Sequence, residues 1–529
     1  KIAIVSPNRP EWIITDIGVQ MTGAVLTPLY PTISLHEMEY ILNETGIRIL
    51  FVANKELYDR FKPAFDKVAT LRHIYSFDPT SGTNHWHELI NDHTEPDQGI
   101  IDRITEDTLA TIIYTSGTTG NPKGVMLSHK NIVSNVYDSM PAFSFAEQGA
   151  RTLSFLPLNH IFERMVTYIY IDAGLSIYYA ESMDTIGENL KEVKPLVFTT
   201  VPRLLEKVYE KILANGMALT GIKRWLFFWA LKLGFKYDNV NTGSWWYRFQ
   251  LMLANKLVFS KWREALGNKV KAIVTGSAPC QPRLIRVFTA AQIVIMEGYG
   301  LTETSPVVSV NRFESEDRRI GSIGPLIDNV QVKLAEDGEL LCKGNNIMMG
   351  YYKHPELTDE VMTEDGWLKT GDIGEWVEGR FLKITDRKKE IFKTSGGKYV
   401  APQVIENKLK ESQFIEQMIV LGANQKFVSA LIVPGFPHLR SWLKAKGLPA
   451  PESNKELIAM PEVIDKIQRV IDKYNPLFSH SEQIKRFVLL PKEWTIDTGE
   501  LTPSLKIKRK VIYEKYADAI TSIYGSPEF

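Results

Sequence analysis

The twelve residues Tyr114–Val125, reading YTSGTTGNPKGV, gather three Gly, three Thr, one Ser and one Lys behind the apolar run LATIIYT. Such a composition suits phosphate. Gly117 and Gly120 let backbone N–H groups approach phosphate oxygens, the hydroxyls of Thr115, Ser116, Thr118 and Thr119 donate further hydrogen bonds, and Lys123 adds a point charge. No Gly-Lys-Ser/Thr follows the required spacing, so this is not a Walker A loop. GTTG by itself is equally a flexible hairpin turn; the full string points to phosphate.

Other residues could serve the same chemistry. In YGLTETS, Tyr299–Ser305, Glu303 could hold the Mg²⁺ that nucleotide chemistry needs, since Mg²⁺ prefers oxygen ligands shared with phosphate. A helix cap is its plainer role. Gly276-Ser277-Ala278-Pro279 offers small residues along which a flat base can slide, though turn formation explains them almost as well. Asp372 in GWLKTGDIG and Arg387 in TDRKKEI are, each alone, charges in a turn. His160 in LPLNHIFER is a lone His in an apolar run, which is usually structural. Lys506 in LTPSLKIKRK sits in a basic stretch of the kind that is usually just solvated, and Lys393 lies in KKEIFKTSGGKYVAP. No Ser-His-Asp or Cys-His nucleophile is arranged by motif.

The elements that must position these residues alternate in type. IAIVS, AVLTPLY and IRILFVA read as strands, and EWIITDIGVQMTGA and HEMEYILNETG between them as helices. The theme returns at LSFLPL (153–158), PLVFTTVP (195–202), VKAIVTGSAP (270–279) and QIVIMEGYG (292–300), each ending in small or turn residues. This predicts an α/β layered fold with a largely parallel sheet, whose ligand sites lie at strand ends. From about Val330 the texture shifts to short strands with turns, and after Asp386 to a Lys-rich passage and a compact helix-and-strand region. A domain boundary is expected at Asp386–Lys389, dividing 1–386 from 387–529.

At 529 residues the chain exceeds what one core sustains, so at least two domains are expected. Lys plus Arg and Asp plus Glu each number 62, which gives no reason to expect nucleic acid as a partner. Two distant cysteines, Cys280 and Cys342, exclude a disulfide framework and favour a reducing, cytoplasmic setting. No apolar run reaches the roughly 20 residues of a membrane span. Opening strand-like and without Met, the chain is expected to lack some N-terminal sequence.

Taken in order, YTSGTTGNPKGV, LPLNHIFER, YGLTETSP, TGD and DRKKEIFKTSGGKYVAPQVIEN resemble the acyl-adenylate-forming superfamily, and most closely its long-chain fatty acid CoA ligases. The resemblance spans nearly the whole chain. It implies a large N-terminal domain of layered α/β subdomains with a small β-barrel-like part, and a smaller, mobile α+β C-terminal domain turning on a hinge near Lys389. It implies ATP, Mg²⁺ and CoA, with fatty acid activated to acyl-AMP and then passed to the thiol. Glu303 is then the metal ligand, Thr302 touches the α-phosphate, and Tyr299 with Gly300 lies along the adenine beside Gly276, Ser277 and Ala278. Asp372 and Arg387 take the ribose. His160 lines the carboxylate and thiol path without transferring a proton. Lys506 serves adenylation; Lys393, with Gly396-Gly397, serves thioester formation after the small domain rotates.

The acid is read from residues 217–265, where Trp225, Phe228, Trp229, Trp245, Trp246 and Phe249 make an unusually aromatic stretch. Long-chain ligases carry an insertion at this place. Lys223, Arg224, Lys232 and Lys236 fringe an apolar body, as in a helix lying at the inner face of a membrane; a helical hairpin packed on the core fits equally. The rivals are an acyl-AMP ligase that loads a carrier protein, a medium-chain or aryl acid ligase, and a fatty acid binding or uptake protein without chemistry. The uninterrupted run GDIGEWVEGRFLKITDRKKE favours CoA over a carrier.

Overall fold

The apolar runs form parallel strands and the amphipathic stretches between them form helices. A computed structural model describes residues 1–91, 97–115, 121–241, 243–496, 498–502 and 506–525. The chain divides into two compact units: Lys1–Lys333 with Leu341–Thr370 and Trp376–Lys383, and Leu334–Leu340 with Gly371–Glu375 and Ile384–Phe529.

In the first unit, Ile2–Val5 pairs in parallel with Leu26–Leu29 and Ile49–Val52, and the ladder continues through His73–Ser76 to Asn84–His85. At the other edge β1 (Leu109–Thr115) joins Leu26–Leu29 in parallel and folds back into antiparallel β2 (Lys123–Ser128). A second sheet runs Ser176–Tyr179, Arg151–Ser154, Val197–Thr200, β3 (Ala272–Thr275) and β4 (Val294–Gly300) in parallel, ending on antiparallel Val307–Val310. Val197–Thr200 and β3 are buried at every position, as strands covered on both faces must be. The short β5 (Gly350–Tyr351) completes the first sheet beside β2.

Helix α1 (Ile161–Asp172) is tied to the helix Pro10–Met21 by the fully buried pair Arg164–Asp16. Arg164 Nε donates to Asp16 Oδ2 at 2.9 Å, and Nη1 to Thr111 Oγ1 at 2.8 Å. Loss of either partner would leave a buried charge uncompensated, a cost of about 3–5 kcal/mol. The aromatic stretch forms α2 (Gly221–Phe235) and α3 (Trp245–Ala254). Packing on the core, one of the two readings open from sequence, accounts for one face of α2, through Phe227, Ala230, Leu231 and Leu233. Its other face leaves Ile222, Trp225, Phe228 and Phe235 exposed, and α3 exposes Trp245, Trp246, Phe249 and Met252. Among the described residues, no helix is long and apolar enough to cross a membrane.

Residues 331–387 carry a four-stranded sheet in the order Gln331–Leu334, Glu339–Lys343, Leu368–Val377, Phe381–Arg387, the stretch that the sequence reads as short strands with turns. In the second unit, Val428–Pro434 is the middle strand, antiparallel to Ile415–Leu421 and parallel to Ile484–Leu489. Its side chains alternate between two cores: Leu431 and Val433 face one, Ala430 and Ile432 the other. Helix α4 (Arg509–Lys515) follows near the end of the chain.

Candidate active site

The expected phosphate loop joins β1 to β2. Thr115 lies opposite Lys123 and Tyr114 opposite Gly124, so the hairpin register brings the two ends of the loop together. Ser116, Gly117, Thr118, Thr119 and Gly120 lie outside the described residues. Gly124 has a packing reason of its own: a Cβ there would meet Ile112 Cγ2 at 2.8 Å and Tyr114 Cζ at 3.1 Å.

Lys123 Nζ lies 5.0 Å from the centre of the Tyr351 ring. Tyr351 stands opposite Val125 in the β5–β2 pairing and donates its hydroxyl to Glu303 Oε1 at 2.8 Å. The Met348 N–H donates to the carbonyl of Glu303 at 2.9 Å, which fixes the turn Thr302–Thr304 against the strand region before β5. Burial and the neighbouring Glu303 charge push the Tyr351 phenol well above its ordinary value, so it stays a donor. Cation, phenol and carboxylate thus form one array across the two sheets. It gathers Lys123, Glu303 and the adjacent Thr302.

The adenine candidates meet at the ends of adjacent parallel strands. Thr275 pairs with Glu297, so Gly276, Ser277 and Ala278 leave β3 beside the end of β4, which holds Tyr299 and Gly300. Ser277 takes φ +68°, the left-handed conformation of a tight turn. A Cβ on Gly300 would lie 1.7 Å from the Pro306 carbonyl oxygen, so only glycine fits. Beneath this loop Glu297 is buried and accepts the Cys280 N–H at 2.7 Å; burial raises its carboxyl to about 8. His160 caps α1, its Nδ1 accepting the Phe162 N–H at 3.2 Å. With Nδ1 engaged as an acceptor, a neutral ring carries its proton on Nε2 and presents a donor rather than a base. The Phe162 ring would lie 3.6 Å from a Cβ on Gly276, so the start of α1 abuts the candidate adenine loop.

In the second unit, Asp372 is buried and Arg387 Nε lies 3.1 Å from its Oδ1, which brings the two ribose candidates together. Lys388 N–H donates to the Gly371 carbonyl at 2.8 Å and Lys388 Nζ to Glu339 Oε2 at 2.7 Å. Lys393 stands opposite Tyr399 in the hairpin Phe392–Lys393 with Tyr399–Val400, its Nζ 4.7 Å from the tyrosine ring centre. Lys506 accepts the Thr502 N–H on its carbonyl at 2.8 Å and donates its own N–H to Thr502 Oγ1 at 3.0 Å.

The AMP-binding enzyme model matches residues 1–352, and the AMP-binding enzyme C-terminal domain model matches residues 389–528. The chain belongs to the AMP-binding enzyme family. The long-chain-fatty-acid–CoA ligase FadD15 of Mycobacterium bovis is 34% identical over 99% of this chain and 88% of its own. The long-chain-fatty-acid–CoA ligase 5 of Rattus norvegicus is 34% identical over 100% of this chain and 80% of its own. Among solved structures, the adenylation domain of a carboxylate reductase from Mycobacterium chelonae superposes with a TM-score of 0.75 at 21% identity, over 99% of this chain and 80% of that one. ATP-bound MatB from Rhodopseudomonas palustris superposes with 0.71 at 20% identity, over 98% and 89%. The layered α/β fold with a smaller C-terminal domain, expected of this family from the motifs, is the one the chain adopts.

Two residues of this AMP-binding enzyme escape sequence reasoning. Tyr351, in MMGYYKHPE, looks like one more aromatic in a short strand, and only the β5–β2 register carries it to Glu303. Glu297 reads as an ordinary acid before GYG; only burial beneath the 276–280 loop singles it out.

Proposed function

We propose that this AMP-binding enzyme is a long-chain fatty acid:CoA ligase that forms acyl-AMP and then acyl-CoA. A fatty carboxylate is a poor electrophile because its charge repels a thiolate. In the first step its oxygen attacks the α-phosphorus of ATP, the bond to the bridging oxygen breaks, and pyrophosphate leaves. In the second, the CoA sulfur attacks the acyl carbonyl, the carbonyl carbon–oxygen bond to AMP breaks, and the thiol proton is lost to solvent. The Lys123–Tyr351–Glu303 array carries the reading of the first step, because it sets a cation and a carboxylate beside the expected phosphate loop. The long-chain acid is supported by the curated relatives at 34% identity and by the aromatic stretch 217–265.

Within this reading Lys123, with Thr115 and the loop Ser116–Gly120, holds the phosphates and Thr302 the α-phosphate. Tyr299, Gly300 and Gly276–Ala278 flank the adenine; Asp372 and Arg387 bind the ribose hydroxyls. Glu303 fits Mg²⁺, which takes one or two protein carboxylates and completes its shell with phosphate and water. Tyr351 donates to Oε1 and so orients the carboxylate that would hold the ion. Mg²⁺ bound there would neutralise charge on the departing pyrophosphate. Lys506 stabilises charge that builds on the α-phosphate oxygens. The C-terminal domain, from 387 to 529, then turns near Lys389 to bring Lys393 and Gly396-Gly397 for the thiol step. His160 lines the path of the carboxylate and thiol. We place the enzyme in the cytoplasm, meeting its acid at the inner face of a membrane through residues 217–265.

Fatty acids from about C8 to C22 given with ATP and CoA, with AMP and thioester read together, test the activity. Both products, strongest with the longer chains, are expected. AMP without thioester would make it an acyl-AMP ligase, a short or aryl preference would move the substrate class, and no AMP would leave a binding protein.

A further inference from the structure

Three residues after Lys506, Arg509 opens α4 with its guanidinium between two carboxylates. Nε donates to Glu390 Oε2 at 2.8 Å, and Nη2 reaches both oxygens of Glu406 at 2.8 Å. Glu390 also accepts Gln403 Nε2 at 2.8 Å, and Glu406 accepts the Val420 N–H at 2.7 Å. One side chain therefore ties together the residue next to Lys389, the helix Pro402–Leu409 and the strand Ile415–Leu421. Only Ile507 and Lys508 separate it from Lys506, and both are braced: Ile507 bridges to Leu501, and the Lys508 N–H donates to the Glu500 carbonyl at 2.8 Å. All of these groups lie in the second unit. A fork of guanidinium donors that meets two carboxylates fixes direction as well as distance, which an ammonium cannot do.

We propose that Arg509 is a positioning residue for adenylation, locking the Lys506 segment to the turn after Lys389 so that the two move as one body. Lys393 does not depend on this lock, because its own hairpin ladder with Tyr399–Val400 holds it. The inference rests on the reading of Lys506 as the adenylation lysine.

The test measures both half-reactions on the full chain: fatty-acid-dependent ATP–pyrophosphate exchange, and acyl-CoA formation from supplied acyl-AMP. Arg509→Ala is expected to lower exchange kcat about 10- to 100-fold, as misplacement of a catalytic group does, with KM for ATP within about twofold. Acyl-CoA formation should stay within about twofold. Glu390→Gln should lower exchange severalfold, and the double variant should cost little more than Arg509→Ala alone, since both break one lock. A merely structural role would slow the half-reactions in step. If Arg509→Ala does not fold, Glu390→Gln decides, because its side chain is 24% exposed and the change is isosteric. Unchanged exchange in Glu390→Gln, or equal loss of both half-reactions in Arg509→Ala, overturns the proposal. Lys506→Ala run alongside keeps the two failures apart: if it spares exchange, the reading of Lys506 falls; if it abolishes exchange while the Arg509 and Glu390 variants leave exchange unchanged, only the lock falls.

Discussion

At the scale of single residues, the hydrogen bond from Tyr351 to Glu303 gives the proposed phosphate-binding array its geometry. A bond to a charged group contributes about 1.5–3 kcal/mol. Tyr351→Phe should therefore slow pyrophosphate exchange about tenfold and raise the Mg²⁺ concentration needed for half-maximal exchange; identical Mg²⁺ titrations would remove Tyr351 from the site. Glu163, in the first turn of α1, is a buried carboxyl outside the site. Ser154 donates to its Oε1 at 2.6 Å and Thr199 to Oε2, while Tyr170 and Tyr179 also lie near its charge. Burial outweighs the hydroxyl donors and raises its pKa from 4.5 to about 7. The folded chain thus keeps a proton that the unfolded chain releases across that window. Stability should fall as pH rises through it, by at most about 1.4 kcal/mol per pH unit for one proton, and Glu163→Gln should flatten the dependence. Urea midpoints taken from acid to neutral pH would show it; parallel curves for both proteins would refute it.

At the scale of elements, α2 and α3 present a surface that composition announces and packing defines. From Gly221 to Glu264 there are eight Lys and Arg against two acids, in a chain whose net charge is zero. Trp225 is 63% exposed and Trp245 71%, while Trp225 and Trp229 stack at 6.2 Å. Exposed aromatics within a basic fringe suit an anionic bilayer, where each cation near the surface adds about 1 kcal/mol. The protein should float with vesicles rich in anionic lipid and less with neutral ones, and Trp225→Ser with Trp246→Ser and Phe249→Ser should remain below. Identical flotation of variant and parent would remove these helices from membrane binding.

At the scale of the whole molecule, the proposed reaction has two half-reactions with different needs and assigns them to two lysines carried by the second unit. Lys506→Ala should lower pyrophosphate exchange about 10²–10³-fold while acyl-CoA still forms from supplied acyl-AMP. Lys393→Ala should show the reverse. Single-turnover measurements of each step separate the outcomes, and equal loss of both steps in either variant would sink domain alternation.

How much was legible follows from which interactions are local. Hydrophobic alternation is local, so IAIVS, IRILFVA, VKAIVTGSAP and QIVIMEGYG marked Ile2–Val5, Ile49–Val52, β3 and β4 within a few residues. LSFLPL overran, since its strand ends at Ser154 and the chain turns through Pro157 toward the cap of α1. The family was legible too, because its motifs recur as residue types in a fixed order that needs no fold to be read. Other facts needed the fold. Tyr351 reaches Glu303 only through the β5–β2 register, which joins residues more than two hundred positions apart in the chain. Arg509 meets Glu390 across 119 positions, and no pattern in KIKRK distinguishes a buried fork from a solvated tail. Sequence by itself determined the α/β class and the family, and it named the candidate stations of the nucleotide in order. Tertiary structure alone decided which charges are buried together and which aromatics are left outside, because burial and long-range pairing depend on neighbours that only the folded chain supplies.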